Sequence, residues 1–355
     1  MNEQINYINN IKSIFILKKI FRNLKQNKFL KIIQYNKNLQ KRFGLDKNYY
    51  KNLYKEIIIE IKIDKYRGPW SSKKYFIQPQ KGSEYCYHIY FDDNKEEIKR
   101  NFINNNDEVK KIKIIIDPQI KSFKNLFYNC WINERINFIQ FKRKDIINMS
   151  HMFYECYYLE EINLINFNTD NVTDMSYMFS ECRNLEKLNL SSFNTNNVID
   201  MRGMFERCYN LKELNISNFN TNNVKYMSTM FYGCFSLNEL NLSSFNTNNV
   251  TNMSYMFYKC SRLKELNLSS FNINKNTNIE QMLEGCNRLK QLKISYNISI
   301  NDNNNNKFLK EYSEKLLDKP EKHIKKDNKN KDQYLLFIIP IIIVFIYCSL
   351  KLMFN

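Results

Sequence analysis

Apolar and polar positions along this chain recur with a period of 26. Phe141, Phe167, Phe193, Phe219, Phe245 and Phe271 are each 26 residues apart, as are Cys130, Cys156, Cys182, Cys208, Cys234, Cys260 and Cys286. The unit that begins at Phe167 reads FNTDNVTDMSYMFSECRNLEKLNLSS, and three near-copies follow it. Looser copies flank them: residues 141–166 lack the FNT opening, and residues 271–296 carry Ile279 and Leu283 in place of Met and Phe. Leu126, Phe127, Cys130, Ile136 and Phe138 keep the register in an eroded unit further upstream. Atypical ends are what a stacked array needs, because a terminal coil has no neighbour on one side.

Each unit divides into two patterns. Leu185-x-x-Leu188-x-Leu190 predicts a short strand with its last two leucines on one face and Asn189 between them pointing away. Met175, Met178, Phe179 and Cys182, at spacings of 3, 4 and 7, predict one side of a helical turn facing the neighbouring coil. The block FNTxNVTxMSxMFxxCxxLxxLNLSS resembles the BspA-type leucine-rich repeat, also described as the DUF285 or mycoplasma-type surface-protein repeat. The resemblance covers roughly residues 141–296, with a weaker extension to about 115. It implies a leucine-rich-repeat-like solenoid of 26-residue units. It also brings the role most often attached to that family, adhesion at a bacterial surface.

The recurring methionine and cysteine raise the question of chemistry. Met fills irregular gaps beside aromatic rings and free Cys behaves as a small buried hydrophobe, so packing is one reading. A Cu(I) site is the other, because soft sulfur ligands select that ion, but it would have to recur in nearly every coil with no Phe in the way. Catalytic thiols would need an activating partner, and the chain has only His88, His151 and His323, with no His or acid repeated beside the cysteines. A column of equivalent cysteines points one way from successive coils, whereas a disulfide needs facing Cβ vectors, so reduced thiols are expected. Cys86 and Cys348 stand outside the column, with no zinc-like C-x-x-C or His spacing. No P-loop, G-x-S-x-G or H-E-x-x-H motif occurs. The expectation is a protein that is not an enzyme, with no catalytic residue, no cofactor, no metal, no small-molecule substrate and no nucleic-acid partner.

Charge changes the picture only once it is located. The formal net charge is +18, yet residues 167–270 hold 9 cations and 9 acids, while residues 1–60 hold 13 Lys plus Arg against 4 acids. The basic excess lies at the N-terminus, as a solvated lysine-rich surface or a contact with an anionic membrane or nucleic acid. Heavy use of Ile, Lys, Asn, Tyr and Phe reads as compositional drift, which leaves single Asn or Lys residues little meaning. Residues 11–43 carry Ile16, Ile20, Leu24, Leu30 and Ile33 at helical spacing and resemble an F-box-like segment, which implies a ubiquitin-ligase substrate adaptor. EIIIEIKI at 56–63, EYCYHIYF at 84–91 and KIKIIID at 111–117 predict strands, with His88 structural and Trp70 in a turn.

At the other end, residues 334–350 are 17 residues without a charge. Counted through Phe354 they make a helix of about 32 Å, enough to span a bilayer core. Lys319, Lys322, Lys325, Lys326, Lys329 and Lys331 precede them, and this basic collar predicts a tail-anchored, single-pass protein with cytosolic repeats. A cell-surface placement is the alternative, in which the N-x-S/T triplets such as Asn171-Val-Thr173 would carry glycans.

The fold expectation is therefore α+β: a solenoid, a smaller mixed α/β N-terminal domain and a C-terminal transmembrane helix. The expected domains are a basic N-terminal domain over 1–110, a divergent capping repeat over 111–140, repeats over 141–296, an Asn/Lys-rich linker over 297–333 and a membrane helix over 334–354. The expected role is a membrane-tethered scaffold for an unidentified protein partner, with the bilayer contacted through residues 334–354. Surface adhesion and the F-box-like adaptor are the alternatives. Candidate partner-binding residues on the strand side are Glu186, Lys187, Asn189, Lys212, Glu213, Asn215, Asn238, Glu239, Asn241, Lys264, Glu265 and Asn267. Tyr209 and Phe235, which vary immediately after the cysteine, are candidate anchors.

Overall fold

A computed structural model describes residues 41, 56–64, 73–131, 134–141, 143–273 and 276–294, all within one compact unit. Strands form where alternation predicted them, except that the stretch predicted over 84–91 opens with a 3-10 turn, Glu84–Cys86, and becomes a strand only from Tyr87. β1 (Ile57–Lys62) buries Ile57, Ile59 and Ile61 on one side, and β5 (Lys111–Ile116) buries Ile112, Ile114 and Ile116 against the same core. β3 (Tyr87–Phe91) pairs antiparallel with β5, and β5 in turn with β1. β2 (Lys73–Tyr75) and β4 (Phe102–Asn104) form a separate antiparallel pair.

The repeats grow directly out of this sheet. β6 (Arg135–Gln140) lies antiparallel to β1 on one edge and parallel to β7 (Glu161–Asn163) on the other, giving the order β3-β5-β1-β6-β7. Farther along, β8 (Lys187–Asn189) pairs parallel with β9 (Glu213–Asn215), and β10 (Glu265–Leu268) with β11 (Gln291–Ile294). Every parallel pair joins residues 26 apart. A second column of parallel bridges runs through Ser122, Asn148, Asp174, Asp200, Tyr226, Asn252 and Asn278. The units are therefore coils stacked in strict register.

The core is a set of columns. Phe127, Phe153, Phe179, Phe205, Phe231 and Phe257 stack ring on ring at 5.2–6.1 Å with nearly parallel planes. Beside them the Met pairs, the Cys column and Val172, Val198, Val224 and Val250 are at most 2% exposed. The Thr of each FNT triplet forms a further column. Thr221 Oγ1 donates to Asn246 O at 2.8 Å and accepts from Asn246 N at 2.7 Å, and Thr169, Thr195 and Thr247 do the same with Asn194, Asn220 and Asn272. One buried hydroxyl thus satisfies two backbone groups of the next coil.

Two parts of the fold expectation are corrected. The MSxMFxxC segments are not helical turns, and the α+β class gives way to strands, turns and loops. Among the described residues, the single helical residue Lys41 apart, the one helix is the 3-10 turn Glu84–Cys86. Positive φ at Tyr177 (55°) and Glu181 (63°) breaks the α geometry, and the same two positions are left-handed in every coil. The amides of Met175, Tyr177, Phe179 and Glu181 donate across to Asp200, Arg202, Met204 and Glu206 of the next coil at 2.7–3.0 Å. The coil-to-coil ladder takes the donors that a helix would use internally.

The transmembrane, tail-anchored reading is the second correction: no helix among the described residues is long and apolar enough to cross a membrane. Residues 334–354, on which that reading rested, lie outside the described residues, as do Trp70 and, Lys41 excepted, the F-box-like stretch over 11–43. The single-pass placement and the bilayer contact are accordingly withdrawn.

Candidate interaction surface

The sulfur column faces inward and is chemically quiet. Cys208 Sγ donates to the Phe179 carbonyl of the preceding coil at 3.1 Å, and Cys156, Cys182, Cys234, Cys260 and Cys286 repeat that bond at 3.0–3.2 Å. Burial pushes the Cys156 and Cys286 thiols up to about 12 and raises the others of the column likewise. A buried thiol held protonated is neither a nucleophile nor a soft metal ligand. No group of three or more His, Cys, Asp or Glu among the described residues could hold a metal ion. His88 lies between two carboxylates, with Nδ1 at 3.0 Å from Glu97 Oε1 and Nε2 at 3.3 Å from Asp117 Oδ1, in the sheet and away from the repeats.

The strand side has the opposite character. Glu186, Lys187, Asn189, Lys212, Glu213, Asn215, Asn238, Glu239, Asn241, Lys264, Glu265 and Asn267 are all exposed. Strand alternation turns the leucines inward and these residues out, and the parallel register sets each beside its equivalent 26 residues away. Their charges are partly used among themselves: Lys187 pairs with Glu213 at 2.6 Å and Lys212 with Glu186 at 2.8 Å. The asparagines close the strands, since Asn189, Asn215, Asn241 and Asn267 each accept from the amide two residues on at 3.0–3.3 Å.

Tyr209 and Phe235 occupy a separate stripe. Both are half-buried and stack on each other at 5.0 Å with planes 5° apart. Arg183 lies over Tyr157 at 4.5 Å and Tyr209 at 5.3 Å, and Trp131 meets Tyr157 edge-on, so the stripe runs through five coils. Rings stacked along the column show their edges, not their faces, to solvent.

Neighbouring coils also match each other where the sequence reading had assigned nothing. Glu181, 4% exposed, is held between Arg183 at 2.7 Å and Arg207 at 2.8 Å. Tyr177 lies across Gly203, where any Cβ would collide with the phenol ring. Burial raises the Glu206 carboxyl, which accepts from Thr229 Oγ1 at 3.2 Å, and burial lowers the His151 imidazole, which stacks on Tyr177 at 4.9 Å. The readable signal was in the glycines: three of the chain's six, Gly203, Gly233 and Gly285, fall at the two left-handed positions of the repeat.

A family model described as Mycoplasma protein of unknown function, DUF285, matches residues 121–215 and 208–317. That family is not a known enzyme family. No curated protein and no solved structure matches this chain.

Proposed function

We propose, from the premise that this chain belongs to the DUF285 family of repeat proteins, that it is a non-enzymatic scaffold whose strand side binds a protein partner. The observation that carries the reading is the contrast between the two sides of each coil. Inward positions are spent on the phenylalanine, methionine, cysteine and threonine columns, whereas the twelve strand-side candidates are exposed and held in a fixed lattice. A backbone tied coil to coil costs little conformational entropy on binding, which favours recognition of another folded surface. The ion pairs Lys187–Glu213 and Lys212–Glu186 are solvent-exposed and set orientation more than affinity. Coils farther on, with Asn238 and Glu239, have no such pairing between neighbours in the same positions and supply the freer contacts.

The test places the photo-crosslinker p-benzoylphenylalanine in the full chain at Asn238 or Glu239 on the strand side, and at Ile199 or Tyr226 away from it. The expected result in the native cell is a discrete protein adduct from the first pair and none from the second. Equal labelling from both pairs, or none from the first, contradicts the reading.

A further inference from the structure

Four isoleucines form a row, three on the outward side of the five-stranded sheet and one in the turn just past its edge strand. Register sets Ile58 opposite Ile115. Ile139 is the extra residue where the pairing of β1 with β6 shifts, between Phe138 opposite Ile59 and Gln140 opposite Ile58. Ile165 lies 26 residues after Ile139, in the turn that follows β7 and two residues beyond the Asn137–Asn163 pair, and Asn166 Nδ2 donates to Ile139 O at 3.2 Å. Ile58 and Ile115 are half-buried, Ile139 is 44% exposed and Ile165 is 76% exposed. In the following coils the same position is Ser191, Ser217, Ser243 and Ser269, all exposed. The lattice is therefore polar at this site everywhere except beside the N-terminal strands. A row of isoleucines that reaches solvent, two half-buried and two exposed, is the unusual observation, since isolated exposed apolar residues are common.

The place where the chain enters the sheet indicates what covers the row. Glu56 O accepts from Gln140 Nε2 at 2.8 Å, so the upstream residues join β1 at the end that carries Ile58. Within that upstream stretch the sequence puts Ile16, Ile20 and Leu24 at i, i+4, i+8, an apolar stripe of helical period, and Lys41, the one residue there that is described, is helical and exposed. Residues 44–55 can reach about 40 Å when extended. Four strands span only about 15 Å. Charge agrees: residues 1–60 hold 13 cations against 4 acids, and the Glu161 side chain, on the outward side of β7, is 73% exposed with Arg135 at 3.9 Å.

We propose that the apolar stripe of residues 11–43 docks on Ile58, Ile115, Ile139 and Ile165. The N-terminal end of the strand side is then covered by the chain itself, and the surface left for any partner begins at the coil of Ser191. The inference stands whether or not the strand side binds a partner.

The test uses the full chain with Ile165→p-benzoylphenylalanine, a site where later coils tolerate serine. Irradiation is expected to give crosslinks within one chain to peptides from residues 11–43. The Ile20→Glu/Leu24→Glu variant is expected to reduce them at least fivefold, and p-benzoylphenylalanine at Ser217 to give none. Crosslinks joining two chains would assign the row to a second copy and overturn the proposal. Crosslinks that fall elsewhere, that fail to form, or that survive the double variant unchanged would overturn it as well.

Discussion

The thiol of Cys208 donates to the carbonyl oxygen of Phe179, one coil earlier, at 3.1 Å. That oxygen also accepts from the amide of Cys182 in its own coil at 3.1 Å. The cysteine thus supplies the second donor to a buried carbonyl and packs fully buried in the core. Replacing Cys208 with Ala removes both, and a loss of about 1–2 kcal/mol is expected. Urea denaturation of the full chain measures it, and the midpoint is expected to fall without a change in slope.

The thiol column also predicts a direction with pH. Burial raises the folded-state thiols above their ordinary value of 9.0, to about 12 for Cys156 and Cys286. The folded chain then holds protons that the unfolded chain has released, so the contribution is complete below about pH 9 and is lost as pH rises from there toward 12. Denaturation at pH 8 and pH 10.5 is expected to show lower stability at the higher pH, on the order of 1–2 kcal/mol each for Cys156 and Cys286, with the other column thiols acting in the same direction. Equal stability at both would mean that the thiols are solvated.

The threonine column makes a sharper mutational prediction. Thr221→Val keeps the shape but leaves the amide and carbonyl of Asn246 without the bonds they make at 2.7 and 2.8 Å. Two unsatisfied buried groups are expected to cost about 2–4 kcal/mol. Thr221→Ser keeps the hydroxyl and is expected to cost about 1 kcal/mol, for the lost methyl. Thermal denaturation of the two variants side by side checks the order.

Gly203 and Tyr177 are coupled. Gly203 sits at φ +57° with the Tyr177 ring across its Cα, whereas Gly82 at φ +83° has open space around it. Gly203→Ala is expected to cost about 2 kcal/mol or more, and Gly82→Ala about 1 kcal/mol from the backbone alone. Other coils accept Tyr177 and Thr229 at the same left-handed position, so the excess at Gly203 is steric. Tyr177→Ser is expected to recover part of it, and a double-mutant cycle measures the coupling.

Much of the coil was legible in the sequence, and the reason is periodicity. The spacing of the phenylalanines and cysteines fixed the repeat, and Leu185, Leu188 and Leu190 marked the strand side correctly because alternation survives in any coil that pairs with its neighbour. The MSxMFxxC stretch misled for a physical reason. Apolar residues at 3, 4 and 7 face one way both in an α-helix and in successive turns with left-handed residues at Tyr177 and Glu181, so side-chain pattern alone does not report where the amides go. The asparagines were undervalued as compositional drift, yet Asn197, Asn223 and Asn249 each donate to a carbonyl of the preceding coil at 2.6–2.7 Å. The contacts of Glu181 with Arg183 and Arg207, and of Tyr177 with Gly203, could be read only after the register placed those residues side by side.

The claim on which the functional reading rests is that this chain works through its surface, with its sulfur spent on packing. Counting alkylated cysteines by mass spectrometry, in the folded full chain at pH 8 and again in denaturant, tests it most directly. The eight buried cysteines, Cys86 and the seven of the column, are expected to stay unmodified while the chain is folded and to react together once it unfolds. Rapid modification of any column cysteine in the folded protein would contradict the account and put a reactive thiol where packing is now assigned.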